Sequence, residues 1–323
     1  MQRVKEKAIQ LLKDGVVDRV IGWKAGEFFY DLTPAVFTSA EEVEKDFVWS
    51  VFSAANVSKY LIAESKKGGR IAAFLKPCDS YSFVQLCKEH RIAKENVYVV
   101  GVQCDGTCDI EKLKALGFKG VTGVEERGEE LLVSTLYGGK TAAKKDALLE
   151  RCTVCKSKRI AYFDELLGEQ GEDCGDARFE AVEKLEAMTP EERFAFWRGE
   201  LSRCIRCNAC RNVCPACSCE KCVFDNHALG TDNKAAADDF EENFFHIIRA
   251  FHVASRCTDC GECSRVCPQH IPLHLLNRKF IKDINTFYGD FQAGEDTESR
   301  APLTNYTKGD VEPSIVYHKG GKN

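Results

Sequence analysis

Apolar and polar positions along the chain follow two regimes. Up to about residue 170, apolar runs of strand length, IAAFL (71–75) and VYVVGV (97–102), alternate with stretches whose apolar residues recur at helical spacing. The helical stretches are 2–14, roughly 40–65 and 79–91, and ELLVSTL (130–136) is a further strand. The turn Lys76-Pro77-Cys78-Asp79 joins the first run to its helix, with Asp79 as a candidate cap. Strand, turn, helix, strand predicts an α/β domain with a mostly parallel sheet and crossover helices. Residues 165–178 are rich in glycine and acid and read as a linker. Beyond it, Thr189-Pro190-Glu191-Glu192 supplies an N-cap, a proline at the first helical position and a capping-box glutamate. That helix runs straight into a group of cysteines. From about 287 the chain is polar with scattered glycine and proline, which predicts an extended or disordered tail.

With 323 residues the chain is long enough for two or three domains. It contains no run of about 18 apolar residues, so no transmembrane helix is expected. The N-terminal MQRVKEKAIQLLKDG is a polar amphipathic pattern without the apolar segment and cleavage site of a secretory signal, and a cytoplasmic location is expected. A net charge of -5, from 45 basic and 50 acidic residues, argues against nucleic-acid binding. The 18 cysteines change the picture most. A long chain without a secretory signal is a poor disulfide scaffold, and cysteines at two-residue spacing in a reducing compartment read as metal ligands.

Two groups repeat one pattern without a gap. Cys204, Cys207, Cys210 and Cys214-Pro215 form the first, and Cys257, Cys260, Cys263 and Cys267-Pro268 the second. Three thiolates at two-residue intervals let one loop wrap three corners of a 4Fe-4S cubane, with its amides aimed at the cluster sulfurs. The fourth cysteine reaches the other cluster, and the proline turns the chain away. One cluster is therefore assigned to Cys204, Cys207, Cys210 and Cys267, the other to Cys257, Cys260, Cys263 and Cys214. Zinc sites pair two short hooks and leave the third cysteine and the Cys-Pro ending unexplained. The expected division is an α/β domain over 1–170, a linker and helix over 171–200, an α-rich two-cluster ferredoxin-like domain over 201–286 and the tail 287–323.

Between the two groups lie Cys217, Cys219 and Cys222, which read as packing thiols or as ligands of a further metal, with His227 a weak candidate fourth ligand. In the α/β half, Cys104 and Cys108, then Cys152 and Cys155, make two hooks able to hold a third 4Fe-4S cluster or zinc. Cys104 follows a strand at its C-terminal end, where α/β sheets place ligands. Cys87 and Cys174 lack a partner hook and are expected in the core and the linker.

The order Lys59-Tyr60, a strand ending in Lys76-Pro77-Cys78-Asp79, a strand ending in GVQC (101–104), CTVC (152–155) and FDELLGE (163–169) resembles the β-subunit family shared by deazaflavin (coenzyme F420)-reducing hydrogenases and formate dehydrogenases. The resemblance covers roughly residues 10–170. It implies FAD beside iron–sulfur clusters, passing electrons between a catalytic partner and a two-electron carrier. Hydrogenase, formate dehydrogenase or heterodisulfide-reductase-like proteins are the implied partners, with ferredoxin or a nicotinamide or deazaflavin carrier beyond them. The appended dicluster module departs from the archaeal pattern and is similar to that of bacterial relatives, such as iron–sulfur subunits like that of anaerobic sulfite reductase. A bacterial-type carrier therefore stands beside the deazaflavin.

Under this resemblance the flavin set is Ser53, Asn56, Lys59, Tyr60, Lys76, Pro77, Cys78 and Asp79. The residues alone are compatible with it: a helix opening after strand 71–75 offers N–H groups to phosphate, and Lys76 offers positive charge near a reduced flavin. Lys59 with Asn56 and Ser53 could meet a pyrophosphate. The plainer reading makes both lysines ordinary solvated residues and Cys78 a buried thiol. No G-x-G-x-x-G fingerprint, catalytic triad or zinc-hydrolase motif is present, and no catalytic residue is assigned. The expected function is an iron–sulfur flavoprotein subunit of a multi-subunit oxidoreductase; the alternative is a flavin-free relay that only docks and wires.

Overall fold

The computed structural model describes residues 2–226 and 239–302. Among the described residues eight strands form two sheets: β1 (Arg19–Ala25), β2 (Leu32–Phe37), β3 (Ile71–Leu75), β4 (Val97–Val102), β5 (Val121–Arg127), β6 (Glu130–Thr135), β7 (Gly138–Ala143) and β8 (Glu165–Leu167). The larger has the order β2-β1-β3-β4-β8. Strands β1, β3, β4 and β8 run parallel, and β2 pairs antiparallel with β1 at the edge. The α/β half thus has the mostly parallel sheet that its alternating pattern predicts.

Its centre is β3, where all five residues are buried, as expected of a parallel strand covered on both faces. Helix Gln2–Lys13 lays Val4, Ala8 and Leu11 on the sheet at a spacing of three to four residues. Helix Pro77–Lys88 follows β3, with Lys76 as its N-cap and Asp79 in the first turn accepting from the Lys76 N–H. The predicted helix at 40–65 is interrupted. It forms only over Ala40–Asp46 and Leu61–Glu64. Between them the Val48 N–H bonds to the Trp23 carbonyl, and Val51, Phe52, Ala55 and Val57 turn into the core. Segment 130–136 is a strand, but β6 is the middle of the antiparallel β5-β6-β7 sheet rather than part of the parallel one.

The C-terminal half is helical. Helices Glu180–Glu186, Pro190–Leu201, Asp239–Val253 and Leu273–Tyr288 surround two short ones, Ala209–Val213 and Glu262–Arg265. Thr189 caps Pro190–Leu201 in the predicted capping box, each of Thr189 and Glu192 bonding the other's backbone N–H. The core between these helices mixes Leu201, Phe224, Phe245, Ile271 and Leu273 with Cys210 and Cys263. After Tyr288 the chain returns to the α/β half: Gln292 and Ala293 are buried, and the Arg159 guanidinium meets Glu295 at 2.8 Å. A Cβ on Gly294 would fall 1.9 Å from the Tyr81 carbonyl oxygen, so only glycine fits this crossing.

A polar seam fastens the halves together. The Arg151 guanidinium donates to the Cys260 carbonyl at 2.7 Å, to the Ala54 carbonyl at 2.6 Å and to Glu262. Glu262 also accepts from the Asn56 N–H at 3.2 Å and from Arg265 at 2.7 Å. Burial alone would raise the Glu262 carboxyl, but Arg151 and Arg265 outweigh it and hold it at about 2. Gly261 belongs to the same seam: its φ is +66°, and a Cβ there would meet the Arg151 Cβ at 2.8 Å. Arg151→Met is expected to cost about 3 kcal/mol, the low end for a broken buried pair because Arg265 still faces Glu262. The double variant R151M/E262Q should regain part of that loss in urea unfolding followed by circular dichroism; strict additivity of the two changes would refute the pairing.

Candidate metal centre and cofactor cleft

Both cysteine loops fold alike. Positive φ occurs at Arg206 (52°) and Asn208 (60°) in the first, and at the equivalent Asp259 (56°) and Gly261 (66°) in the second. In each loop these residues flank the second cysteine, and a short helix starts just after them. Left-handed backbone at a non-glycine residue is costly, and its recurrence at matched positions marks a conformation imposed by what the loop encloses. The Arg206 N–H points at Cys204 Sγ at 3.4 Å, as wrapping amides do.

The thiols of Cys204, Cys207, Cys210 and Cys267 line one small cavity, together with His246 and Ile271. This is the first cluster set with its crossed fourth ligand. On the other side Cys214 is an electrostatic neighbour of Cys257, Cys260 and Cys263. Burial pushes all three of those thiols up, so a cation is needed to draw them into the thiolate form. A hydrogen bond from the Cys217 thiol, aided by Arg249 and Lys59, holds Cys214 below the ordinary thiol range. Cys217 is thus a neighbour of a proposed ligand, while Cys219 and Cys222 line a cleft beside it. His227 lies outside the described residues. Thiols on four corners of a cubane stand farther apart than ligands of one ion, and among the described residues no three His, Cys, Asp or Glu side chains close on a single-ion site.

The thiols of the α/β half group differently from their sequence hooks. Cys104, Cys152, Cys155 and Cys174 all surround the Lys158 ammonium, and against burial they raise its pKa. Cys152 Sγ takes the Thr107 N–H at 3.4 Å. Cys174, expected in a linker, arrives beside Cys155 because Ser157 pairs with Asp173 and the Cys174 N–H bonds to the Lys156 carbonyl. Cys108 is buried in the hydrophobic core with Lys144, Glu126 and Cys152 as neighbours, and burial pushes its thiol up to about 12. Cys78, at the start of helix Pro77–Lys88, has Cys104 and Arg151 as neighbours. Arg151, adjacent in sequence to Cys152, went unmarked by any motif.

Of the eight expected flavin residues, Asn56, Lys76, Pro77, Cys78 and Asp79 lie together, the Asn56 amide 3.5 Å from the Cys78 carbonyl and the Lys76 ammonium 3.1 Å from the Ala55 carbonyl. Lys76 is 2 % exposed, paired with Asp79 at 2.7 Å and 4.5 Å from the Trp23 ring centroid, so its charge is spent inside the domain. Ser53 accepts from the Ser50 N–H, and the Asn56 side chain donates to Ser82 at 2.9 Å. Pro77 and Cys78 open the helix beside the thiols already described. Lys59 and Tyr60 lie elsewhere, in a cleft of about 620 Å³ between the sheet edge and the dicluster half. Pro34 and Val36 of β2 form one wall, and Cys217, Cys219 and Cys222 the other. Arg91, Arg211 and Arg256 reach the cleft already paired with Glu220, Asp225 and Glu89, Arg249 donates to the Cys210 carbonyl, and Lys59 donates to the Arg211 and Cys217 carbonyls at 3.1 Å each. The size and the apolar wall suit a dinucleotide-sized ligand.

Residues 200–271 match the family model of the 4Fe-4S dicluster domain. The chain is 26% identical to the F420-dependent formate dehydrogenase subunit beta of Methanocaldococcus jannaschii, over 84% of this chain and 86% of that one. It is also 26% identical to the F420-dependent formate dehydrogenase 1 subunit beta of Methanococcus maripaludis, over 91% and 90% respectively. Among solved structures, a chain of the F420-reducing NiFe hydrogenase complex from Methanosarcina barkeri aligns with a TM-score of 0.39 and 17% identity, covering 47% of this chain and 58% of that chain. The expected resemblance therefore stands: over most of its length the chain is similar to the beta subunits of F420-dependent formate dehydrogenases, and its residues 200–271 match the 4Fe-4S dicluster domain.

Proposed function

We propose that this protein is the electron-transfer subunit of a multi-subunit oxidoreductase of the formate dehydrogenase or hydrogenase kind, with FAD beside its iron–sulfur clusters. One observation carries the reading. A dinucleotide-sized cleft, with Lys59 and Tyr60 in its lining, shares a wall with the dicluster half, and Cys217 in that wall is hydrogen-bonded to Cys214. A flavin supplies the exchange between two-electron and one-electron chemistry. In the proposed arrangement Lys59 and Tyr60 hold the ligand. Cys204, Cys207, Cys210 and Cys267 bind one cluster, and Cys257, Cys260, Cys263 and Cys214 the other. A third cluster falls to Cys104, Cys152, Cys155 and Cys174, with Cys174 in place of Cys108.

Clusters without a substrate site need a partner docked close enough to exchange electrons. Helix Asp239–Val253 leaves Phe244, Ile247 and Phe251 exposed in one stripe, the kind of surface a second subunit covers. The names of the relatives point to a formate-oxidising or hydrogen-oxidising catalytic subunit as that partner and to coenzyme F420 as a carrier. Among the described residues no helix is long and apolar enough to cross a membrane.

Anaerobically purified protein is expected to show iron–sulfur absorption and to release yellow flavin on acid treatment. Iron–sulfur absorption without flavin would favour the flavin-free relay, whose four α/β thiols hold a structural metal. Cys207→Ser and Cys260→Ser should each lower iron content by about one cluster and leave the α/β half folded. Wild-type iron in both variants would remove the ligand assignment. For the third set, Cys174→Ser should lose iron while Cys108→Ser keeps it, and the reverse result would return Cys108 to the ligand set.

A further inference from the structure

His246 sits on the inner face of helix Asp239–Val253 and is 1% exposed. Its ring lines the cavity that holds Cys204, Cys207, Cys210 and Cys267. Nε2 lies 3.2 Å from Cys204 Sγ, and Nδ1 is buried with no hydrogen-bond partner. These two facts select the tautomer. A buried N–H without an acceptor costs more than a bare lone pair, so the proton belongs on Nε2, aimed at the sulfur. The second loop carries a longer contact of another kind, the Asn277 amide donating to Cys263 Sγ at 3.7 Å.

We propose that His246 sets the reduction potential of the cluster bound by Cys204, Cys207, Cys210 and Cys267, raising it through a hydrogen bond to the Cys204 sulfur. Reduction adds one electron to a cluster whose sulfurs already bear negative charge. A fixed N–H donor stabilises the more negative state more than the oxidised one. No bond breaks, and the proton stays on Nε2 in both states. The consequence is a bias of the electron toward the cluster whose ligand Cys207 is exposed. His246 is in this sense a positioning residue, acting through the Cys204 sulfur. The inference rests on the two-cluster reading, and its test is built to fail separately from it.

The test is a redox titration monitored by EPR on the anaerobic full-length protein, with iron counted first. His246→Leu removes the donor at similar volume; His246→Gln keeps an N–H. With full iron content, His246→Leu should make one cluster about tenfold harder to reduce, a shift of about 59 mV for one electron, and leave the other unmoved. His246→Gln should restore much of the shift. Two unshifted potentials in an iron-replete His246→Leu protein would overturn the proposal. A second measurement does not depend on any variant folding. Wild-type protein carrying nitrogen-15 histidine should show a weak histidine coupling in pulsed EPR of one reduced cluster, and its absence would also overturn the proposal. A wild-type protein without iron would instead defeat the two-cluster reading itself.

Discussion

Holding a negatively charged inorganic cluster in a protein asks backbone N–H groups to turn toward it, and a short loop wrapped around the cluster does this by stepping into left-handed conformations. Both loops take that step at the same two positions, Arg206 and Asn208 in one and Asp259 and Gly261 in the other. Three of those four residues have a Cβ, so the cost is real, and the helices Ala209–Val213 and Glu262–Arg265 that follow each loop resume ordinary backbone at once. The small apolar core of the helical half is arranged around this requirement: Leu201, Phe245 and Ile271 pack directly on cysteines.

The same loops form the boundary with the α/β half. Gly261 lacks a side chain where Arg151 crosses, and Glu262, one residue on, receives the Arg151 guanidinium and the Asn56 N–H. Asp259 takes charge from Arg278 at 3.0 Å and from Arg178 of the connecting segment at 3.1 Å. The second loop is thus anchored by ionic contacts on both sides. Buried ion pairs add little net stability compared with apolar packing, but they are intolerant of misalignment. This suits a place where two halves must keep fixed spacing.

Local patterns were legible in the sequence, and long-range ones were not. The cysteine spacing, the capping box at Thr189 and the apolar runs of β3 and β4 are encoded within a few residues, and each is found in the structure. The helix read at 40–65 failed because residues 47–57 pay for their irregular backbone by burying Val51, Phe52 and Val57, a tertiary contact that local spacing does not reveal. Strand β6 was found but its sheet was not, since an apolar run says nothing of the partner strand. Lys76 looked like a free charge beside a helix start. Only the fold brings Trp23 over it and Asp79 against it. Cys174 joins the other thiols through a single backbone pairing, Ser157 with Asp173, which leaves no trace in cysteine spacing.

The return of residues 290–302 to the α/β half bears on the order of synthesis. Gly294 fits under the Tyr81 carbonyl, and Lys88 of the same helix bonds to Ser299 at 3.1 Å. A domain emerging first from the ribosome ordinarily completes its surface before later segments exist. Here helix Pro77–Lys88 waits for a strap translated some two hundred residues after it. By then both cysteine loops have been translated, so the latch closes only after the whole dicluster segment has been made.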